Sequence, residues 1–274
     1  MNKVNIREGN CLDILPTMEA CSVNCCVTSP PYFGLRDYGN DEQIGLEETP
    51  EAFVESLVKV FREVKRVLAD DGTLWLNLGD SFGDKQLLGI PWRVAFALQQ
   101  DGWYLRQDII WSKPNPMPES VTDRCTKAHE YIFLLSKKAK YYYDADAVRE
   151  EGSGRIPGNK VPQKIDDSRN DGGDGGILLA QQKPQDTRNK RSVWEVTTRT
   201  FSGAHFATFP PDLIKPCILA GCPVGGRVLD PFGGSGTTGM VALELGRNAE
   251  LIELNPDYVE IIKGRTNVTY GFNF

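Results

Sequence analysis

The chain has 274 residues, 40% of them apolar and 25% charged, with a formal net charge of −6. That length suits one large α/β domain, or such a domain with an insertion, and the acidic balance excludes a wholly basic nucleic-acid coat while leaving room for a local basic face. No apolar run is long enough to span a bilayer, and Met1 to Asn10 carry no apolar leader, so a cytoplasmic location is expected. Seven cysteines in no framework spacing read as reduced thiols, mostly buried. Two histidines leave little for a zinc site or a His-based triad, so no metal is expected.

In chain order, Val4 to Arg7 reads as a strand, and Gly9-Asn10-Cys11 leads into a short helix from Leu12 to Ala20. Val23 to Val27 is a core strand. Residues 33–50 are loop-like, and Pro50 sits in the first turn of a helix. Phe53, Leu57, Val60, Phe61, Val64 and Leu68 fall on one face of that helix. After Asp70-Asp71-Gly72 comes the strand Thr73 to Leu78, then a helix from Pro91 to Gln100, a strand from Leu105 to Trp111, a Pro-rich loop, and a strand from Tyr131 to Leu135. Strands alternating with helices predict a largely parallel α/β sheet.

Residues 152–192 break this texture, with eight Lys or Arg against five Asp and few apolar residues. They read as a flexible surface insertion, as a phosphate-facing arm, or as both. Pro211 to Ala220 is a candidate helix despite Pro216, and Arg227 to Asp230 is a strand. Division into 1–143, a 144–200 insertion and 201–274 follows, the outer two being halves of one domain.

Two motifs carry chemistry. Thr28-Ser29-Pro30-Pro31-Tyr32 ends a core strand in two prolines, which lock φ and withdraw two backbone donors. The carbonyls of Ser29 and Pro30, the Ser29 hydroxyl and the Tyr32 ring then suit a flat group carrying an NH2: acceptors grip the N–H bonds and the ring stacks. Alone, the motif reads equally as a turn with Tyr32 in the packing. The second motif is Pro231-Phe232-Gly233-Gly234-Ser235-Gly236-Thr237 after the strand ending at Asp230. A helix from Thr238 to Gly246 and a strand bearing Glu253 follow. Strand, glycine turn, helix, and strand with an acid is a nucleoside site. The glycine spacing also fits a nicotinamide-dependent oxidoreductase, but Asp230 at the loop's mouth suits a cationic amino group and would repel a pyrophosphate. No Lys follows the glycines, which excludes a P-loop.

Together the two motifs resemble the β group of the DNA amino-methyltransferases, in which a TSPPY-type motif precedes a D-P-F-x-G-x-G-T-like loop. The resemblance covers nearly the whole chain and implies that 1–143 is the catalytic half, 144–200 a partly flexible target-recognition insertion and 201–274 the cofactor-binding half. It implies a class I S-adenosylmethionine-dependent fold: a Rossmann-like α/β sheet of seven mostly parallel strands with one antiparallel, Tyr131–Leu135, in circularly shuffled motif order. It implies S-adenosyl-L-methionine as cofactor and double-stranded DNA as substrate, with the target base flipped out. A homodimer and a companion restriction endonuclease are further implied partners. Protein-glutamine methylation is disfavoured, because that family places its Asn-Pro-Pro-Tyr after the glycine loop.

Carried over residue by residue, Ser29, Pro30, Pro31 and Tyr32 form the catalytic motif. Asp230, Pro231, Phe232, Gly233, Gly234, Ser235, Gly236 and Thr237 cradle the methionine part. Glu253 takes the ribose hydroxyls. Asn10 stands where the family usually has Asp near the adenine. Phe206, Ala207 and Thr208, after His205, match a segment beside the methionine tail. Arg36, Tyr38, Lys113, Arg188, Lys190 and Arg191 are candidate DNA contacts. Phe33 and Trp111 read better as core packing than as base contacts. Ser at the first motif position leans to cytosine N4 over adenine N6. Methylation at a cytosine carbon would need a Cys after Pro, and Pro216-Cys217 lies in a helix away from the target motif.

Overall fold

The computed structural model describes residues 2–37, 39–40, 42–152, 187–198 and 209–267. Eight strands form the main sheet: β1 Val4–Glu8, β2 Val23–Thr28, β3 Leu68–Leu78, β4 Tyr104–Ser112, β5 His129–Ser136, β6 Val193–Glu195, β7 Arg227–Asp230 and β8 Asn248–Glu253. Their order is β1-β8-β7-β2-β3-β5-β4-β6. Among the described strands of this sheet, only β5 runs antiparallel to its neighbours, pairing Leu78 with Tyr131 on one side and Ser112 with His129 on the other. The expected antiparallel strand is therefore present. The strand beyond the expected seven is β6, a three-residue edge on β4.

Among the described residues, six α-helices flank the sheet: α1 Cys11–Ile14, α2 Pro50–Val67, α3 Ile90–Gln100, α4 Pro211–Gly221, α5 Thr237–Glu244 and α6 Pro256–Asn267. Successive strand residues face opposite sides. Thus Leu74 and Leu76 pack with Phe53, Leu57 and Phe61 of α2, whereas Trp75 packs with Leu213 and Cys217 of α4. The result is three layers, with helices on both faces of a buried sheet.

Three expectations shift. The helix read over Leu12 to Ala20 stops at Ile14 and continues as a 3₁₀ turn over Leu15–Thr17, because Pro16 supplies no N–H to extend it. Strand β3 begins at Leu68, earlier than expected, so Asp70 and Asp71 lie on its exposed start. Helix α6 was not expected, although its start is marked: Asn255 Oδ1 accepts the Asp257 N–H at 2.9 Å, and Pro256 follows the cap. Pro216 is accommodated inside α4.

The sheet draws on both outer segments, because β7 and β8 insert between β1 and β2. From β7 the chain passes through α5 to β8 on one side; from β2 it passes through α2 to β3 on the other. The pair β7–β2 is therefore the topological switch point, where open α/β sheets leave a crevice at their carboxyl ends.

Candidate active site

Strand β2 ends at Thr28 and β7 at Asp230, so both sequence motifs emerge side by side at this crevice. They are bridged: Thr28 Oγ1 donates to Asp230 Oδ1 at 2.7 Å, although the residues are 202 apart in sequence. A cavity of about 500 Å³ lies above, lined by Ser29, Pro30, Pro31 and Tyr32 on one side. Asp230, the turn Pro231 to Ser235, Thr237 and Glu253 line the other, with Asn10 at the end of β1.

The glycine turn is tightly braced. Gly236 adopts φ +80°, and a Cβ there would stand 3.0 Å from Ile262 of α6, so glycine is required both for the conformation and for the approach. Phe232 N–H bonds Asp230, Gly233 N–H bonds the Ile252 carbonyl, Gly234 N–H bonds Glu253, and Gly236 N–H bonds the Gly233 carbonyl. Four of the turn's amides are thus spent inside the fold, and Pro231 has none. A pyrophosphate needs such amides free, whereas a cationic nucleoside needs acidic acceptors. Glu253 supplies these: its two oxygens hold Gly234 N–H at 2.7 Å and Asn255 N–H at 2.9 Å, with lone pairs remaining. Burial raises its pKa. The donor set fits S-adenosyl-L-methionine and argues against a nicotinamide dinucleotide.

Asp230 is almost wholly buried. Its Oδ2 accepts Thr238 Oγ1 at 2.6 Å while Oδ1 takes Thr28 and the Phe232 N–H. Burial lifts its pKa to about 7, against the pull of those hydrogen bonds. Asn10 caps α1, its Oδ1 accepting Leu12 N–H at 2.9 Å, so the amide NH2 is the group left to donate. Arg265 of α6, unforeseen in sequence, donates to the carbonyl and Oγ of Ser235, the latter at 2.6 Å, and clips the turn from behind.

On the opposite wall, no turn, loop or side-chain hydrogen bond among the described residues is donated to the Ser29 or Pro30 carbonyl. The Tyr32 ring lies against the backbone of Gly79, where a Cβ would come within 2.5 Å of its Cε2. Its hydroxyl donates to Glu130 Oε2 at 2.6 Å and lies 3.3 Å from Asn77 Oδ1, while Ser29 Oγ donates to it at 3.4 Å. Glu130, which also lines the cavity, is ion-paired with Lys113. Sequence reasoning missed Gly79, Asn77 and Glu130. They come from the end of β3 and the start of β5, and only the antiparallel register of those strands brings them to Tyr32.

Of the candidate DNA contacts, Arg36 lines the cavity mouth. Lys113 turns inward, its ammonium 4.4 Å from the Trp111 ring centroid and bonded to Glu130, with a side chain only 19% exposed. Arg188 and Arg191 both pair with Glu150, and Lys190 sits 4.9 Å over the Trp194 ring. All three precede β6, Lys190 lies beside Arg106 and Gln107 towards the start of β4, and none of the three is among the residues that line the cavity. Tyr38, His205, Phe206, Ala207 and Thr208, and residues 153–186 and 199–200 of the 144–200 insertion, lie outside the described residues. Phe33 packs against Phe53, and Trp111 is buried with its Nε1 bonded to the Val196 carbonyl, as core residues should be. Cys217 is fully buried, and burial raises its pKa, which leaves it no nucleophilic thiolate. Among the described residues, no group of three His, Cys, Asp or Glu could hold a metal, and no helix is long and apolar enough to cross a membrane.

A nucleoside crevice at the switch point, in a mainly parallel sheet with one antiparallel strand, defines a class I S-adenosylmethionine-dependent methyltransferase. A family model described as DNA methylase, for the N6/N4 methyltransferases, matches residues 23–264, and the chain belongs to that family. The type II methyltransferase M.Cfr9I of Citrobacter freundii is 47% identical over 97% of this chain and 88% of its own length. M.SmaI of Serratia marcescens is 43% identical, over 94% and 88%. The fold is similar to that of the PvuII DNA methyltransferase (cytosine-N4-specific), with a TM-score of 0.72, 20% identity, and 97% and 86% of the two chains covered. It is also similar to a DNA modification methylase of Thermus thermophilus complexed with S-adenosyl-L-methionine, with a TM-score of 0.67, 25% identity, and 99% and 97% covered. The chain is thus a DNA amino-methyltransferase that uses S-adenosyl-L-methionine.

Proposed function

We propose that the chain methylates the exocyclic N4 of a cytosine flipped out of duplex DNA. One observation carries this reading: the Ser29–Tyr32 wall and the glycine turn share one cavity. The cofactor supplies an already activated methyl carbon on its sulfonium. The chain's own task is to ready the amine, whose lone pair is delocalised into the base. Ser29 and the Pro30 carbonyl accept its two N–H bonds, Tyr32 stacks on the ring, and the nitrogen becomes tetrahedral with its lone pair towards the methyl. This is positioning plus acceptors aimed at the transition state. Glu253 takes the ribose hydroxyls, Asn10 donates towards the adenine, and the turn from Asp230 to Thr237 holds the methionine part. Lys113 holds Glu130, which lines the base pocket, and is not a phosphate contact in this reading. Arg36, at the mouth, is the DNA contact this reading retains.

Cytosine is favoured over adenine by Ser29 at the first motif position. The fold neighbour named cytosine-N4-specific points the same way. A companion restriction endonuclease is in keeping with the type II names of the relatives. The test is nucleoside mass analysis of duplex DNA incubated with protein and cofactor: N4-methylcytosine is expected, and N6-methyladenine alone would overturn the choice of base.

A further inference from the structure

A serine hydroxyl is both donor and acceptor, yet the amine it meets needs an acceptor. Something must set its direction. Among the described residues, two groups stand on the far side of the Tyr32 oxygen. Glu130 Oε2, at 2.6 Å, is a carboxylate oxygen that can only accept. Asn77 Oδ1 lies at 3.3 Å, and the Asn77 amide cannot turn round, because its Nδ2 already donates to the Tyr131 carbonyl and to Glu130, each at 3.1 Å. Both neighbours therefore accept, and Tyr32 must donate towards them. Its oxygen is left to accept from Ser29 at 3.4 Å. The Ser29 proton then points into the protein and its lone pairs face the cavity.

We propose that Glu130 is a positioning residue that fixes the hydrogen-bond polarity of Ser29 through Tyr32. The relay runs Ser29 to Tyr32 to Glu130, and Lys113 anchors its end. The inference rests on the proposed role of Ser29 as an acceptor for the target amine, and deepens it. It also explains the inward turn of Lys113, whose ammonium can only donate and so holds the Glu130 oxygens in their acceptor role.

Lys113 makes a clean test available. In Glu130→Gln the side-chain volume is kept, but Lys113 draws the amide oxygen, so the NH2 faces Tyr32, which loses its 2.6 Å acceptor and keeps only Asn77 Oδ1 at 3.3 Å to hold its direction. Single-turnover methyl transfer to a duplex containing one site would be measured for wild type, Glu130→Gln, Tyr32→Phe and the double variant. Cofactor titration and melting would serve as folding controls. Each single variant is expected to lose roughly tenfold in rate, about the net worth of one hydrogen bond, with the DNA KM within about twofold. The double variant should be no slower than Tyr32→Phe, since the relay is already cut. Losses that multiply in the double variant, or Glu130→Gln at the wild-type rate, would overturn the relay alone. A wild-type protein that methylates no amine would overturn the proposed function, and the relay with it.

Discussion

Replacing Gly79 with Ala tests whether the pose of the Tyr32 ring controls the rate. The added Cβ would lie 2.5 Å from Tyr32 Cε2 and 3.0 Å from Cδ2. Carbon atoms rest about 3.5–4.0 Å apart, so the ring must retreat by roughly 1 Å. The hydroxyl moves with the ring, so a retreat of that size disturbs the 2.6 Å bond to Glu130. Misplacement of that size costs about 10²-fold in rate, while overpacking costs about 1–3 kcal/mol of stability. Methyl transfer would be followed under single turnover with radiolabelled cofactor, and cofactor binding by calorimetry. The glycine turn is on the other wall of the cavity, so cofactor affinity should stay within about twofold. A Gly79→Ala protein transferring methyl within twofold of the wild-type rate would refute the claim that the ring's position matters.

Asp230 makes stability fall as pH rises. Its folded pKa, about 7, lies above the ordinary 3.8, so the folded state holds a proton that the unfolded chain has released. The stabilisation is complete below the ordinary pKa and is lost as pH climbs towards 7, at about 1.4 kcal/mol per pH unit. Urea unfolding should therefore show wild type losing roughly 2–3 kcal/mol relative to Asp230→Asn between pH 5 and 7; parallel profiles would contradict this. Glu253→Gln sets an amide NH2 against one of the two backbone N–H groups that the carboxylate now accepts, and should weaken cofactor binding about tenfold or more by calorimetry. Cys217→Ala should leave methyl transfer unchanged and cost about 1 kcal/mol in denaturant unfolding; lost activity would reopen a thiol mechanism.

Much of the fold is legible in the residues because its determinants are local. The face of α2 is written in Phe53, Leu57, Val60, Phe61 and Val64, all wholly buried. The start of α2 is written in Thr49 and Pro50, with Thr49 Oγ1 accepting Ala52 N–H. The Pro-Pro corner and the glycine turn are legible for the same reason: proline and glycine act on their own backbone. Pro16, which shortens the first helix, was equally readable. So was the Asn255-Pro256 start of α6.

What lay beyond the sequence is pairing between strands. Glu130 and Lys113 look like ordinary charges on a strand and a loop until β5 is set antiparallel between β3 and β4. Asn77 reads as a polar interruption in an apolar strand, yet it is buried and orients a tyrosine from another segment. The sequence by itself determined most of the helices and strands, the order in which the two motifs come, and which family they signify, because each depends on neighbours a few residues away. Tertiary structure alone decided that β2 and β7 lie side by side, that Thr28 bonds Asp230, and that Lys113 points inward. Register and strand order are set by the packing of both sheet faces at once, which no stretch of chain encodes separately.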